Sequence, residues 1–212
     1  MRVKTLTAVI VSAGLAAWLI QGPSPAVPQA ADHPLPAGGR RYEPQRIPPI
    51  EQIRLYVDGF HLRKADGRPL EARHYLSQIG DGLWHGLIVD RHDAQGRILG
   101  VEYLISEERY RALPEDEKRM WHSHAHAVKS GQWVMPGADP DVERNVMRDL
   151  VATYGKAWLC WGEGELPTGE PTGLDSPTRD GQVPDELLRA RDARVGVSAE
   201  ERKRARGELE SR

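Results

Sequence analysis

The sequence predicts an α+β fold. Its centre is an antiparallel β-meander of about four strands, with one or two later strands and two helices packed on it. A disordered N-terminal tether precedes the meander and a charged C-terminal helix follows the domain. Three observations carry this expectation. From Ile53 to Ser106 apolar residues recur with period two. Turn sequences interrupt that pattern at Ala65-Asp66-Gly67-Arg68-Pro69, Gly80-Asp81-Gly82 and Asp93-Ala94-Gln95-Gly96, as a meander requires. After Leu113 the spacing lengthens to that of helices, with capping residues at both ends.

Residues 1–31 read as an export signal or an N-terminal membrane anchor. Arg2 and Lys4 precede an apolar run from Leu6 to Ile20, which Gln21-Gly22-Pro23 ends. The run is shorter than the ~20 residues a spanning helix needs. Residues 32–49 form a Pro/Gly-rich tether, residues 50–206 the folded domain and residues 207–212 a tail. The domain is therefore expected outside the cytoplasm: periplasmic, extracellular or held at the membrane by an uncleaved N-terminal segment.

The four strands are Leu55 to Leu62, Leu70 to Ile79, Leu83 to Asp90 and Arg97 to Ser106. Alternation puts His61 on a face with Val57 and Gly59, and His74 with Ala72 and Leu76. It groups Glu102 with Ile98, Gly100 and Leu104. A carboxylate in the apolar run around Glu102 lies on the solvated face by default. The alternative is a buried Glu102 partnered by His61 or His74, because an unpaired buried charge is costly.

Pro114 with Glu115, Asp116 and Glu117 opens a helix that Lys129 and Gly131 close. It carries His122, His124 and His126, three of the eight histidines. Imidazole ligates metals and exchanges protons near neutral pH, so such a cluster calls for an explanation. On one continuous helix Trp121, Ala125 and Val128 share a face and His124 sits at its edge. His122 and His126, spaced i, i+4, would be the pair able to share a metal. Gln132 to Gly137 is a short strand and turn. Asp139 to Tyr154 is a second helix with Val142, Val146, Leu150 and Val151 on one face. Lys156 to Trp161 is a strand in which Cys160 reads as an inert core thiol. Gly162 to Pro184 is loop, and Pro184 to Ala193 a short helix. Ser198 caps a last helix, Ala199 to Ser211, which lacks an apolar stripe and reads as a solvated tail.

Composition narrows the function. A formal charge of −2 over 212 residues supplies no basic face for nucleic acid. No phosphate loop or dinucleotide fingerprint points to a nucleotide, and no serine elbow or HExxH motif names a hydrolase. The single cysteine rules out an intramolecular disulfide and a cysteine-built zinc site.

Several stretches between Ile53 and Arg206 then resemble a known family. They are Gly59-Phe60-His61, Glu71-Ala72-Arg73-His74-Tyr75, Leu99 to Ser106, Leu113-Pro114, Trp121-His122-Ser123-His124, Val128-Lys129-Ser130-Gly131, Met135-Pro136-Gly137 and Tyr154-Gly155-Lys156. In order and spacing they resemble the DUF1264 family, whose plant members are called oil body-associated proteins and associate with seed lipid droplets. The resemblance places His61, His74, Glu102, His122 and His124 on positions the family pattern also carries. Two departures stand out. Plant members tend to have a histidine shortly after Tyr-Gly-Lys, where this chain has Leu159. They tend to have acidic or aromatic residues where it has Ala125-His126-Ala127.

Two functions follow as expectations. The first is a non-enzymatic exported or membrane-tethered protein of the envelope or of a lipid surface. The second is a metal-binding protein, extending to a metal-dependent hydrolase, in which His61, His74, Glu102, His122 and His124 hold a divalent ion.

Overall fold

The computed structural model describes residues 46–209. The signal or anchor at 1–31, the tether up to residue 45 and the tail from 210 lie outside the described residues. The elements in order are α1 (Pro48–Glu51), β1 (Leu55–Arg63), β2 (Pro69–Gly80), β3 (Leu83–Val89), β4 (Ile98–Ser106), α2 (Glu107–Arg111) and α3 (Glu115–Lys118). There follow β5 (His122–Ser123), α4 (Ala125–Lys129), α5 (Pro140–Leu150), β6 (Thr153–Leu159), β7 (Thr172–Asp175), α6 (Asp185–Val195) and α7 (Ala199–Arg206).

β1 to β4 pair in sequence as the antiparallel meander expected from period two. The meander does not stay open. β6 pairs with β4 on one side and β7 on the other, and β7 pairs with β1, so six strands close an antiparallel barrel. β5 adds two residues to the edge of β6 beside Tyr154 and Gly155. β7 lies in a stretch read from sequence as loop. Its four residues, Thr-Gly-Leu-Asp, are too few for a periodic signal.

Val57, Ala72, Leu76, Ile88, Leu104, Ala157 and Leu174 fill the interior. The grouping of Ile98 with Gly100 fails at a bulge. Val89 pairs with Ile98 and Ile88 with Gly100, leaving Leu99 as the extra residue. One inserted residue inverts the alternation, so Leu99 is 4% exposed and Ile98 54%.

The helix read from Glu115 to Lys129 is two short ones, α3 and α4, with β5 between them. Both end signals are real and belong to different helices: Pro114 is the N-cap of α3, and Gly131 with φ 74° follows α4. In α5, Asp139 Oδ1 accepts from the amides of Asp141 and Val142, as a cap should. The buried face is Glu143, Met147 and Leu150, whereas Val142 is 52% exposed. β6 starts at Thr153, earlier than expected, and Cys160 is exposed rather than in the core.

The charged C-terminal helices are docked by arginines rather than by an apolar stripe. Arg191 of α6 is fully buried. It donates to the carbonyls of Gln132 (2.8 Å) and Gly131 (3.3 Å) and pairs with Asp58 (3.5 Å). Arg206 of α7 donates to the carbonyls of Val128 and Trp133 (2.6 Å) and pairs with buried Glu143 (2.7 Å). The last helix is thus no solvated tail. Both arginines clamp the 128–133 segment, which continues from His124, against the barrel.

Arg191→Ala strips a donor from the carbonyls of Gln132 and Gly131 and from the buried Asp58 carboxylate. The expected cost is about 3 kcal/mol, seen as a lower urea midpoint. An unchanged midpoint would show that the clamp contributes nothing to stability.

Candidate metal centre

Five residues named from the sequence converge inside the barrel. His61 comes from β1, His74 from β2, Glu102 from β4, His122 from β5 and His124 from the N-cap of α4. Each imidazole presents Nε2 to the Glu102 carboxylate. His122 and His124 lie 3.1 and 3.2 Å from Oε1, and His74 and His61 lie 3.2 and 3.6 Å from Oε2. The Nε2 atoms of His61 and His74 are 2.9 Å apart. One donor atom each from His61, Glu102 and His122 falls within 4.8 Å of the others. All five residues are buried, so the default placement of Glu102 on the solvated face is overturned.

The far nitrogens of three rings are anchored. His61 Nδ1 lies 3.2 Å from the carbonyl of Asp175, and His74 Nδ1 3.2 Å from that of Val57. A carbonyl only accepts, so in both rings Nδ1 carries the hydrogen. His124 Nδ1 is 2.9 Å from Thr153 Oγ1, which gives its own hydrogen to the carbonyl of Leu150 at 2.7 Å. Thr153 therefore accepts from His124. Trp133 packs on the rings of His124 (4.3 Å between centroids) and His74 (5.1 Å).

His126 does not join this group. Its Nε2 faces Asp180 at 3.6 Å. The pairing of His122 with His126 required a continuous helix, and the break at β5 removes it. His122 and His124, two apart in extended chain, turn inward together instead.

Sequence reasoning missed Gly155, Thr153 and Trp133. A Cβ at residue 155 would overlap Glu102 Oε1, His124 Nε2 and His122 Nε2. The signal was a glycine inside a strand, Tyr154-Gly155-Lys156, which marks a close approach of other groups. Gly59 makes similar room for the Trp133 ring.

Burial pushes the His74 imidazole from its ordinary 6.5 down to about 3 and that of His122 to about 4, despite the carboxylate beside them. Burial acts to raise Glu102, but the imidazoles of His61, His122 and His124 outweigh it and hold the carboxyl well below its usual range. In the metal-free domain these shifts make acid destabilising. The unfolded chain protonates both imidazoles near pH 6.5 and the folded chain does not until about pH 4 and about pH 3. Between those values the unfolded state holds more protons, so stability falls as pH falls, by up to about 1.4 kcal/mol per pH unit for each ring. Glu102 adds loss in the same direction below its ordinary 4.5. Urea midpoints of chelator-treated protein should be level from pH 8 to 7 and drop steadily below pH 6.5. A midpoint equal at pH 7 and pH 4.5 would contradict the buried neutral imidazoles.

Comparison with known proteins agrees with the residue pattern running from Gly59 to Lys156. A family model described as "Protein of unknown function (DUF1264)" matches residues 47–210. Oil body-associated protein 1B of Arabidopsis thaliana is 37% identical over 172 residues, covering 79% of this chain and 69% of the relative. Oil body-associated protein 2A of Zea mays is 36% identical over 173 residues, with coverage of 79% and 69%. No solved structure matches. With the whole folded region inside the family match, and the relatives aligned over more than two thirds of both chains, the chain belongs to the DUF1264 family.

Proposed function

We propose that the domain is a metalloprotein holding one divalent transition-metal ion among His61, His74, His124, Glu102 and His122. The observation that carries this reading is where the imidazole hydrogens point. With Nδ1–H committed to Asp175, Val57 and Thr153, the rings of His61, His74 and His124 turn Nε2 toward one another and toward a carboxylate, as ligating imidazoles do. Lone pairs and an anion facing one point repel unless a cation lies between them. Outer hydrogen bonds of this kind are what orient ligating histidines. The spacing agrees. Two nitrogens each about 2.1 Å from one ion at a right angle lie about 3 Å apart, close to the 2.9 Å between His61 and His74. An imidazole-rich set with one carboxylate suits iron, nickel, copper or zinc, and five donors exceed the four of a structural zinc site.

Elemental mass spectrometry on the domain from Arg41 onward, purified without a histidine tag, should find close to one metal ion per chain. His74→Ala should remove most of it. Gly155→Ala should do the same without substituting any donor residue, because the added methyl displaces three donor atoms. A folded wild-type domain free of metal ends this reading.

A second reading takes the domain as a non-enzymatic protein of a lipid surface, exported or tethered through residues 1–31. The outer wall of the barrel favours it. Leu87, Val101 and Trp158 form one row across β3, β4 and β6, and Leu83 and Tyr154 flank a buried Ile105 in another, with His85, Tyr103 and Lys156 between them. Tyr110 stacks on Tyr154 at 3.7 Å, and Lys156 lies over the rings of Trp121 and Trp158. Tryptophan and tyrosine with lysine are side chains suited to a membrane–water boundary. The relatives named above carry oil body association in their names. No helix among the described residues is long and apolar enough to cross a membrane, so contact would be peripheral. The domain should float with phospholipid vesicles, and Trp158→Ala combined with Tyr103→Ser should cut the floated fraction severalfold. Wild-type protein that stays at the bottom of the gradient ends the lipid reading.

A further inference from the structure

The five donors are not held alike, and His122 is the odd one. Its Nδ1 is buried and has no hydrogen-bond partner among the described residues, whereas the other three Nδ1 atoms are anchored to Asp175, Val57 and Thr153. Nothing therefore fixes which His122 nitrogen carries the hydrogen. Its ring meets those of His61 and His124 edge-on, at 5.3 and 5.2 Å, and lacks the Trp133 backing given to His74 and His124. It rides on a strand of two residues bonded only to Gly155 and Tyr154. Its side chain is 5% exposed while those of His61, His74, His124 and Glu102 are at 0%.

The 3.1 Å between His122 Nε2 and Glu102 Oε1 does not decide its role. That distance fits a second ligand on the same ion, and it fits equally an Nε2–H donating to the carboxylate. The anchoring of Nδ1 does decide, because only a ring with Nδ1–H held elsewhere is committed to offering its Nε2 lone pair.

We infer that His61, His74, His124 and Glu102 are the permanent ligands, and that the position taken by His122 Nε2 is exchangeable. A small exogenous donor, water or a small inorganic anion, binds the ion there. The His122 ring then hydrogen-bonds that donor instead of ligating. This rests on the metal centre proposed above. Charge favours an anion: a divalent ion with three neutral imidazoles and one carboxylate keeps a net +1 in a dry interior, where uncompensated charge is costly. The way in runs past β5, where His122 has the only measurable exposure of the five and Met120 just before it is exposed.

The test loads the untagged protein with cobalt(II) and follows its visible absorption. Wild-type protein should bind one cobalt per chain. Sodium azide should change the spectrum, saturably, without releasing the metal. His122→Ala and His122→Asn should keep cobalt with affinity within about tenfold of wild type, while His74→Ala and His124→Ala lose more than about a hundredfold. The azide titration needs no variant, so it stands even if one of these fails to fold. Loss of cobalt from both His122 variants to the extent seen for His74→Ala, or a wild-type spectrum indifferent to azide, overturns the exchangeable position and leaves the metal centre standing. Wild-type protein that holds no cobalt, iron, nickel, copper or zinc overturns both.

Discussion

A carboxylate enclosed in a β-barrel is the constraint on which the rest of this structure depends. Glu102 is fully buried in the middle of β4. An ionised carboxylate without partners in such a place costs many kcal/mol, enough to exceed the net stability of a small domain. The fold answers with four imidazoles from four separate elements. That answer requires closure. An open meander would leave His61 three strands from Glu102, about 14 Å away; closure turns β1 and β2 to face β4, and the pairing of β6 with β4 puts Gly155 beside the carboxylate. Only the pairing of β5 with β6 then brings His122 over that glycine. The wall is thin at Gly155 because the space a side chain would take is already occupied by donor atoms.

Stiffness is distributed unevenly around this centre. On one side the barrel strands themselves carry His61 and His74, each tied to a backbone carbonyl of another strand. His124 depends instead on tertiary clamps. The chain running on from it through Trp133 is held by Arg191 and Arg206 from the last two helices, and Thr153 holds its ring. The C-terminal helices therefore contribute to the geometry of a site they never touch. Truncating long arginine stems in such a place removes packing as well as charge. His122 has neither kind of support, so the least constrained donor is also the one nearest solvent.

The meander was legible because period two and Asp/Gly turns are local properties, and β1 to β4 follow them closely. Closure was not legible. β7 is four residues long, and whether β6 meets β4 is decided by packing across the barrel rather than by any neighbouring residue. Glu102 posed the right question from its place in an apolar run, but sequence could not say which face of the sheet was inside. The bulge at Leu99 shows how one inserted residue spoils that inference. The three clustered histidines misled through their caps. A valid helix start at Pro114 and a valid stop at Gly131 suggested one helix, and the extended turn at His122 and Ser123 exchanged the expected partner of His122 from His126 to His124. The last helix was misjudged because a buried arginine reads in sequence as a solvated one. Arg206 stands where an apolar stripe was sought.

The departure at Leu159 can be weighed against this geometry. If the histidine that plant members tend to carry near this point were a donor to the same centre, its absence would weaken the site here. Leu159 faces the barrel interior on the same side of β6 as Gly155, four residues on, which is about 13 Å along a strand. There it packs with Ala72, Ile88, Leu99 and Leu174 in an apolar plug at the other end of the barrel. A side chain at that distance cannot reach Glu102 past Ala157 and Leu174. Leu159 fills the far mouth and lies apart from the five-donor arrangement. Leu159 and the five converging residues therefore occupy opposite ends of one barrel.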